Sequence, residues 1–154
     1  MRQRYGNGSV AVITGATNDT GFAFAEKLAR NGLKLICVAE KDDEKVTKLR
    51  ELYPGTEVIV FDFASTAEHK AYEQLCDTIR SKAKEMGEDI SVLVNNVERM
   101  DPNRGKIHRT SDDELLQTVN INICPAIYMT RILGEHMKKR ESKSAIINMS
   151  SFYS

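Results

Sequence analysis

The sequence predicts an α/β fold built on a doubly wound parallel sheet, and three features of the chain support it. Five short apolar runs are spaced along the sequence, each run is solid rather than alternating, and helical periodicity fills the gaps. Solid runs rich in β-branched residues are typical of strands buried on both faces, as in a parallel sheet. The five predicted strands are residues 10–13, 35–39, 58–61, 92–94 and 145–149.

Four helices are predicted between these strands, which gives a strict alternation of strand and helix. The first covers residues 21–31, where Phe24 and Leu28 lie one turn apart and the dipeptide "NG" marks the end. The second, residues 42–51, is short and highly charged, so we expect it to be the most exposed of the four.

The two later helices are longer and carry clearer apolar stripes. Residues 66–86 place four apolar side chains along one face, namely Tyr72, Leu75, Ile79 and Met86. The last helix, 112–139, begins after Ser111, where "SDDE" fits a capping box, and runs to Lys139. Its predicted inward-facing residues are Leu115, Val119, Ile123, Ile127 and Ile132.

Length and composition predict a single domain over residues 1–154. The 22 basic and 22 acidic residues give a formal net charge of zero, which argues against nucleic acid as a partner. No apolar run reaches the roughly eighteen residues of a membrane span. Three cysteines without a CxxC pair suggest a reducing, cytoplasmic location, and three scattered histidines argue against a metal site. We expect the endoplasmic reticulum instead if a longer, anchored form exists.

The stretch "TGATNDTG" connects the first strand to the first helix and has the composition of a phosphate-binding turn. Glycines let backbone N–H groups approach an anion, and the helix amino terminus lies behind them. Glycines between a strand and a helix also occur for packing alone. The candidate cofactor-binding residues of this turn are Gly15, Ala16, Thr17, Asn18, Thr20 and Gly21.

Further candidates follow the second, third and fourth strands, at the carboxyl edge where ligands of such sheets bind. Glu40 ends the second strand, nineteen residues after Gly21, where an acid can accept hydrogen bonds from an adenosine ribose. Asp62 and Phe63 follow the third strand, where an adenine would lie. Asn96, in "VNN", ends the fourth strand.

Together these motifs resemble the short-chain dehydrogenase/reductase family. The matching pieces, in the family's order, are "YGNGSVAVITGAT", "ARNGLKLICVAE", "VIVFDFAS", "SVLVNNVE", "TVNIN" and "AIINMSS". Within the family, the chain is most similar to the branch of very-long-chain 3-oxoacyl-CoA reductases and 17-beta-hydroxysteroid dehydrogenases. The resemblance implies a Rossmann-like sheet, incomplete at its carboxyl-terminal side, that binds NAD or NADP.

The resemblance also assigns roles to individual residues. It gives Gly15 and Gly21 to the pyrophosphate turn, Asp62 to the adenine and Asn96 to the cofactor edge. Asn122 takes the catalytic asparagine position, and Ser151 takes the position that hydrogen-bonds a substrate carbonyl. Two alternatives remain open, because Asn122 could cap backbone groups and Ser151 could be an ordinary serine at the end of a strand.

Three acidic residues depart from the family pattern and bear on the cofactor. Asp19 stands where the family has its middle glycine, and Glu98 where it has a glycine beside the cofactor. Both place negative charge near a dinucleotide and predict impaired binding. Asp19 has an alternative role as the N-cap of the first helix. Glu40 stands where NADP-dependent members carry arginine, so NAD is favoured over NADP.

The family's Tyr-x-x-x-Lys pair, which supplies the proton for carbonyl reduction, is missing from the sequence. Tyr53, Tyr72 and Tyr128 are followed four residues later by Glu57, Cys76 and Ile132, and Tyr153 lies too close to Ser151. We therefore expect the chain to be inactive alone.

Three hypotheses follow from the family match and its departures. The chain holds the cofactor half of a carbonyl reductase for a steroid or 3-oxoacyl substrate, or it is a non-catalytic pseudoenzyme, or it does not fold alone. The expected partners are a dinucleotide, a hydrophobic substrate only in a longer form, and a second copy through helix 112–139.

Overall fold

The computed structural model describes residues 2–64, 68–99 and 107–150, and all five predicted strands are present in it as one parallel sheet. The order across the sheet is β3-β2-β1-β4-β5, so the chain moves outward from β1 in one direction, then returns and moves outward in the other. The strands are β1 (Val10–Thr14), β2 (Lys34–Ala39), β3 (Glu57–Val60), β4 (Ile90–Asn95) and β5 (Ala145–Asn148). The predicted doubly wound α/β fold is confirmed.

Helices cover both faces of the sheet. They are α1 (Arg2–Tyr5), α2 (Asp19–Arg30), α3 (Glu44–Leu52), α4 (His69–Glu85), α5 (Asp112–Asn122) and α6 (Cys124–Lys138), with one 3-10 turn at Ile107–Arg109. None of the helices in the described ranges is long and apolar enough to cross a bilayer.

Burial follows position in the sheet. All of β1 and β4 is buried, as is β2 after its first residue, because each has a strand on both sides and helices on both faces. The edge strands differ: β3 is only partly buried, and β5 alternates between half-buried and exposed residues. The prediction of strands buried on both faces therefore holds for the three central strands and not for the two at the edges.

Two apolar layers form, one on each face of the sheet. Alternate residues of β1, such as Val10 and Val12, point into a layer with α4, α5 and α6, which contains Tyr72 and Ile79. The residues between them, such as Ala11, point into a second layer with α2 and α3. The predicted stripe on residues 66–86 is confirmed, since three of its members are buried and Met86 packs against the same layer.

The single helix predicted over 112–139 was wrong, because the chain forms two helices that meet at Ile123. This residue is the C-cap of α5 and the N-cap of α6, and Pro125 lies in the first turn of α6. Proline has no N–H to donate to the carbonyl four residues earlier and its ring clashes there, so a continuous helix is disfavoured at this point. The predicted capping box at Ser111 is confirmed, with Ser111 and Glu114 bonded to each other's backbone N–H groups.

The predicted inward face of these helices was also wrong. Four of its five residues are exposed: Leu115 (38%), Val119 (45%), Ile123 (49%) and Ile127 (56%). The residues that are buried are Ile121, Pro125, Met129, Leu133 and Met137. The segment carries two apolar stripes, and the four-residue spacing from 125 to 137 is the one that packs against α4 and β4.

Candidate functional site

The turn between β1 and α2 starts at Gly15, which lies in the left-handed region with φ +64°. Its N–H donates to the carbonyl of Val38 in β2 at 2.9 Å. A Cβ at Gly15 would lie 2.8 Å from the carbonyl oxygen of Asn96, which follows β4. The turn therefore contacts both neighbouring strands closely, and only glycine fits without strain.

Gly21, the second glycine of the turn, allows the start of α2 to pack directly against Gly15. Gly21 is buried in the first turn of α2, and a Cβ there would collide with the carbonyl oxygen of Gly15 and lie 2.7 Å from Nδ2 of Asn96. Both glycines are thus required by packing of the turn. Around them Ala16 is fully buried, Thr17 is half-buried and Thr20 is exposed.

The N-cap of α2 is Asn18, and the alternative in which Asp19 caps the helix was wrong. Asn18 has extended backbone angles, and its Oδ1 accepts from the N–H of Gly21 at 2.7 Å. The first N–H groups of a helix have no acceptor within the helix. Asn18 satisfies that of Gly21, and no hydrogen bond within the described part of the chain occupies the N–H groups of Asp19 and Thr20. An anionic group outside the chain could accept hydrogen bonds from this end of α2.

Asn96 fastens the turn to β4. Its side chain is 4% exposed, and Nδ2 donates to Oδ1 of Asn18 at 3.0 Å and to the carbonyl of Gly15 at 3.1 Å. Its backbone N–H donates to Oγ1 of Thr14 at 3.0 Å, and Thr14 donates in turn to the carbonyl of Val94. The amide of Asn96 is therefore used to shape the turn.

The side chain of Asp19 extends into solvent and contacts a residue of α3. Its side chain is 97% exposed, and Oδ1 lies 2.6 Å from Nζ of Lys45 in α3. The hydrogen bond from Lys45, together with the positive charge of that residue, lowers the pKa of the Asp19 carboxyl. The negative charge that the sequence places in the turn thus has a cationic partner.

The candidates after β2 and β3 lie at the same carboxyl edge as the turn. Glu40 directly follows β2 and is exposed, so its carboxylate is accessible to a ligand. Asp62 is exposed, and its Oδ1 accepts from the N–H of Ala64 at 2.8 Å. Phe63 is fully buried and packs edge-on against Phe61, so only its backbone could contact a nucleotide.

Of the two candidate catalytic residues, the structure describes only Asn122. Asn122 is exposed, its Oδ1 accepts from the N–H of Arg99 at 2.8 Å, and its Nδ2 donates to the Arg99 carbonyl at 3.0 Å. Its side-chain amide therefore bonds both backbone groups of Arg99 in the loop after β4. Ser151 and Tyr153 lie outside the described residues. Glu98 is exposed in the same loop as Arg99.

Sequence reasoning missed Lys45, which proves to be the partner of Asp19. The residue stands in a charged helix 26 positions from Asp19, and no local pattern distinguishes it from its neighbours. Only the packing of α3 beside α2 brings the two together. Within the ranges that the structure describes, no group of three or more His, Cys, Asp or Glu residues is placed to hold a metal ion.

The parallel sheet and the glycine turn at the amino end of α2 together define an α/β domain of the dinucleotide-binding class. The family model for short chain dehydrogenases matches residues 9–154, which is nearly the whole chain. The chain belongs to the short-chain dehydrogenase family.

Curated relatives and solved structures agree with this assignment. The chain is 31% identical over 148 residues to human inactive hydroxysteroid dehydrogenase-like protein 1, covering 94% of this chain and 42% of that protein. It is 36% identical over 152 residues to the very-long-chain 3-oxoacyl-CoA reductase of Anas platyrhynchos, covering 95% and 46%. The crystal structure of a short-chain dehydrogenase from Streptomyces avermitilis superposes with a TM-score of 0.80 at 26% identity, covering 95% of this chain and 50% of that one. The chain thus spans less than half the length of these curated relatives.

Proposed function

We propose that this chain is the cofactor-binding part of a short-chain dehydrogenase and that it prefers NAD(H) to NADP(H). The observation that supports this most directly is the turn of residues 14–21, held on β4 by Asn96 and open at the amino end of α2. A pyrophosphate would accept hydrogen bonds from the backbone N–H groups of that end and would be stabilised by the helix dipole.

The preference for NAD(H) rests on Glu40. Its exposed carboxylate follows β2 at the edge where the adenosine ribose of a bound dinucleotide would lie. A carboxylate accepts hydrogen bonds from the two ribose hydroxyls, whereas it repels the 2′-phosphate of NADP(H). The nicotinamide supplies hydride chemistry when bound, and this chain's own residues bind and orient the adenosine half.

The experiment is titration calorimetry with NADH and NADPH. The chain contains no tryptophan, so energy transfer from tryptophan to the nicotinamide is not usable and calorimetry is the better measurement. We expect NADH to bind more tightly than NADPH, and Glu40→Arg to reverse that order. Glu51→Arg is the matched control, since it makes the same charge change at an exposed position on α3. Absence of binding by either nucleotide would refute the proposal.

The proposed substrate class comes from the relatives. One is named a very-long-chain 3-oxoacyl-CoA reductase and another a hydroxysteroid dehydrogenase-like protein. We therefore propose a steroid or a 3-oxoacyl thioester as the substrate of a protein that also supplies the Tyr-x-x-x-Lys pair absent from this sequence. Adding such substrates to this chain alone should give no oxidation of NADH.

A second candidate function is that of a non-catalytic binding protein. Two acidic residues, Asp19 and Glu98, replace glycines of the family motif, and one relative is named inactive. This candidate predicts that wild-type chain binds neither nucleotide, while Asp19→Gly combined with Glu98→Gly does. The same titration therefore distinguishes the two.

Self-association through α5 and α6 is a further part of the proposal. Leu116 and Ile127 are 61% and 56% exposed, and Val119 and Ile123 are each nearly half exposed on the same two helices. Large apolar side chains grouped on one surface favour an interface. Sedimentation velocity should show a dimer that Leu116→Glu dissociates, whereas Leu52→Glu, an exposed leucine on α3, should leave it intact.

A further inference from the structure

The ion pair between Asp19 and Lys45 lies at the mouth of the proposed nucleotide turn. Asp19 is the first residue of α2, and Lys45 lies in the first turn of α3. Their charged atoms are 2.6 Å apart, and the side chains are 97% and 45% exposed. The pair therefore joins the starts of the two helices at a solvent-exposed position.

The position of Lys45 is fixed by its own helix. The N-cap of α3, Asp43, accepts hydrogen bonds from the backbone N–H groups of Lys45 and Val46 at 3.0 and 3.2 Å. Val46 is fully buried. The backbone of Lys45 is thus held in place, and only its flexible side chain reaches toward α2.

The carboxyl of Asp19 is ionised in this arrangement. Lys45 lowers the pKa of Asp19 chiefly through the hydrogen bond and also through its charge. The charge of Asp19 is therefore balanced by a cation and not removed by protonation. Balanced in this way, Asp19 presents much less repulsion to an approaching phosphate than an unpaired carboxylate would.

We propose that Lys45 is a positioning residue of the dinucleotide site, which neutralises Asp19 and holds its carboxylate outside the space that the pyrophosphate occupies. This inference rests on the proposed function. Asp19, which stands at the position of the family's middle glycine, is thus paired with a lysine on a different helix that balances its charge. The ligand that this arrangement admits is the pyrophosphate of a nicotinamide dinucleotide.

An exposed ion pair of this kind adds little to folding stability, because water and salt screen it and two long side chains must be ordered. The effect of the pair should therefore appear in nucleotide affinity while the unfolding midpoint stays the same. That contrast separates a positioning role from a purely structural one.

The experiment compares NADH affinity, by calorimetry at low salt, among wild-type chain, Lys45→Met, Asp19→Asn and the double variant. We expect Lys45→Met to weaken binding about fivefold, the effect of one uncompensated charge at about 4 Å in water. Asp19→Asn in the Lys45→Met background should restore wild-type affinity. The loss should shrink in 0.5 M salt, where the screening length falls to a few ångströms.

Lys48→Met is the matched control. It removes the same charge from the same helix, but Lys48 lies 5.7 Å from the ring centroid of Phe22 and not beside Asp19. It should change affinity less than twofold. Urea midpoints of all variants should match that of the wild type.

The possible results separate the two ideas. If wild-type chain binds NADH and Lys45→Met binds equally well, or weakens no more than Lys48→Met, the role of Lys45 is refuted while the proposed function stands. If Asp19→Asn binds and the wild type does not, Lys45 fails to neutralise Asp19 and the inference is refuted. If neither binds NADH or NADPH, both proposals fail.

Discussion

The turn of residues 14–21 and the region formed by α5, α6 and β5 differ in how completely the described chain covers them. In the turn, Gly21 is buried and Asn96 is 4% exposed. The side chain of Asn18 donates to the carbonyl of Asn96 and accepts from the N–H of Gly21. In the second region, Leu116 is 61% exposed and Ile127 56% exposed. The shape of the turn thus depends on contacts within the chain, while the second region presents apolar surface to its surroundings.

This difference shows that different interactions stabilise the two regions. Hydrogen bonds and close backbone packing determine the turn, since Gly15 and Gly21 approach neighbouring atoms more closely than any side chain allows. Apolar burial determines the position of α6, and only one of its two apolar stripes is used. Substitutions should therefore affect the regions in different ways.

The largest expected effect concerns the two faces of α6. Leu133→Ala removes a fully buried side chain and should lower the free energy of unfolding by about 2–5 kcal/mol. Ile127→Ala, on the same helix but 56% exposed, should change it by no more than about 0.5 kcal/mol when both substitutions are made in the Leu116→Glu background, in which the proposed dimer is dissociated. Urea unfolding followed by circular dichroism measures both. Equal losses in that background would contradict the assignment of Leu133 and Ile127 to a buried and an exposed face of α6.

The next effect tests the packing of the turn. Gly15 and Gly87 both have positive φ, +64° and +73°, so alanine at either position carries the same kind of backbone strain. A Cβ at Gly87 meets nothing within 4 Å, whereas at Gly15 it lies 2.8 Å from the Asn96 carbonyl. Gly15→Ala should therefore cost about 1–3 kcal/mol more than Gly87→Ala in urea unfolding. Similar costs would show that the turn is not tightly packed on β4.

A comparison of Asn96 with Asn122 tests the hydrogen bonds that hold the turn on β4. Asn96→Ala removes one of the two donors to each of the partly buried oxygens of Asn18 and Gly15, and the two lost hydrogen bonds should together cost about 1–3 kcal/mol. Asn122→Ala removes exposed contacts to Arg99, which water can replace, and should cost about 0.5 kcal/mol. Thermal unfolding of the two variants gives the order, and the reverse order would contradict the assignment of Asn96 as the support of the turn.

The smallest expected effect is a pH dependence of the free energy of unfolding that arises from two buried thiols, one on each face of the sheet. Burial raises the pKa of Cys37, in β2, and of Cys76, beside Met129 of α6, to about 12 each. A raised thiol pKa contributes stability below the unfolded value near 9, and this is lost as pH rises through 12. At pH 10 each thiol should therefore contribute about 1 kcal/mol less to folding than at pH 8, because the thiol ionises in the unfolded chain and not in the folded one.

The measurement for the thiols is the pH dependence of urea unfolding in the wild type, Cys37→Ala and Cys76→Ala. The free energy of unfolding should fall less steeply with rising pH in each variant than in the wild type, because one thiol no longer ionises on unfolding. The smaller side chain of alanine adds a loss that does not depend on pH. An unchanged pH dependence in Cys76→Ala alone would show that the α4–α6 packing is open to solvent, which would sharpen the contrast between the two regions.

Much of the fold could be predicted because it depends on local pattern. Each strand was located to within two residues, and the start of α5 after Ser111 followed from its capping box. The boundary at Pro125 was also readable in principle, since proline disfavours a continuous helix. The choice between the two apolar stripes of α6 was not, because both have helical spacing and only the presence of α4 and β4 selects one.

The sequence by itself determined the alternation of strands and helices, the glycines of the turn and the family to which the chain belongs. These properties are encoded in neighbouring residues, whose spacing sets backbone geometry before any long-range contact forms. The tertiary structure alone decided that Asn18 and not Asp19 caps α2, that Asn96 supports the turn, and that Lys45 faces Asp19. The cap itself is local, but Asn96 donates to the same Asn18 oxygen from β4, and Lys45 reaches Asp19 from α3. Coulomb and hydrogen-bond energies depend on separation in space rather than along the chain.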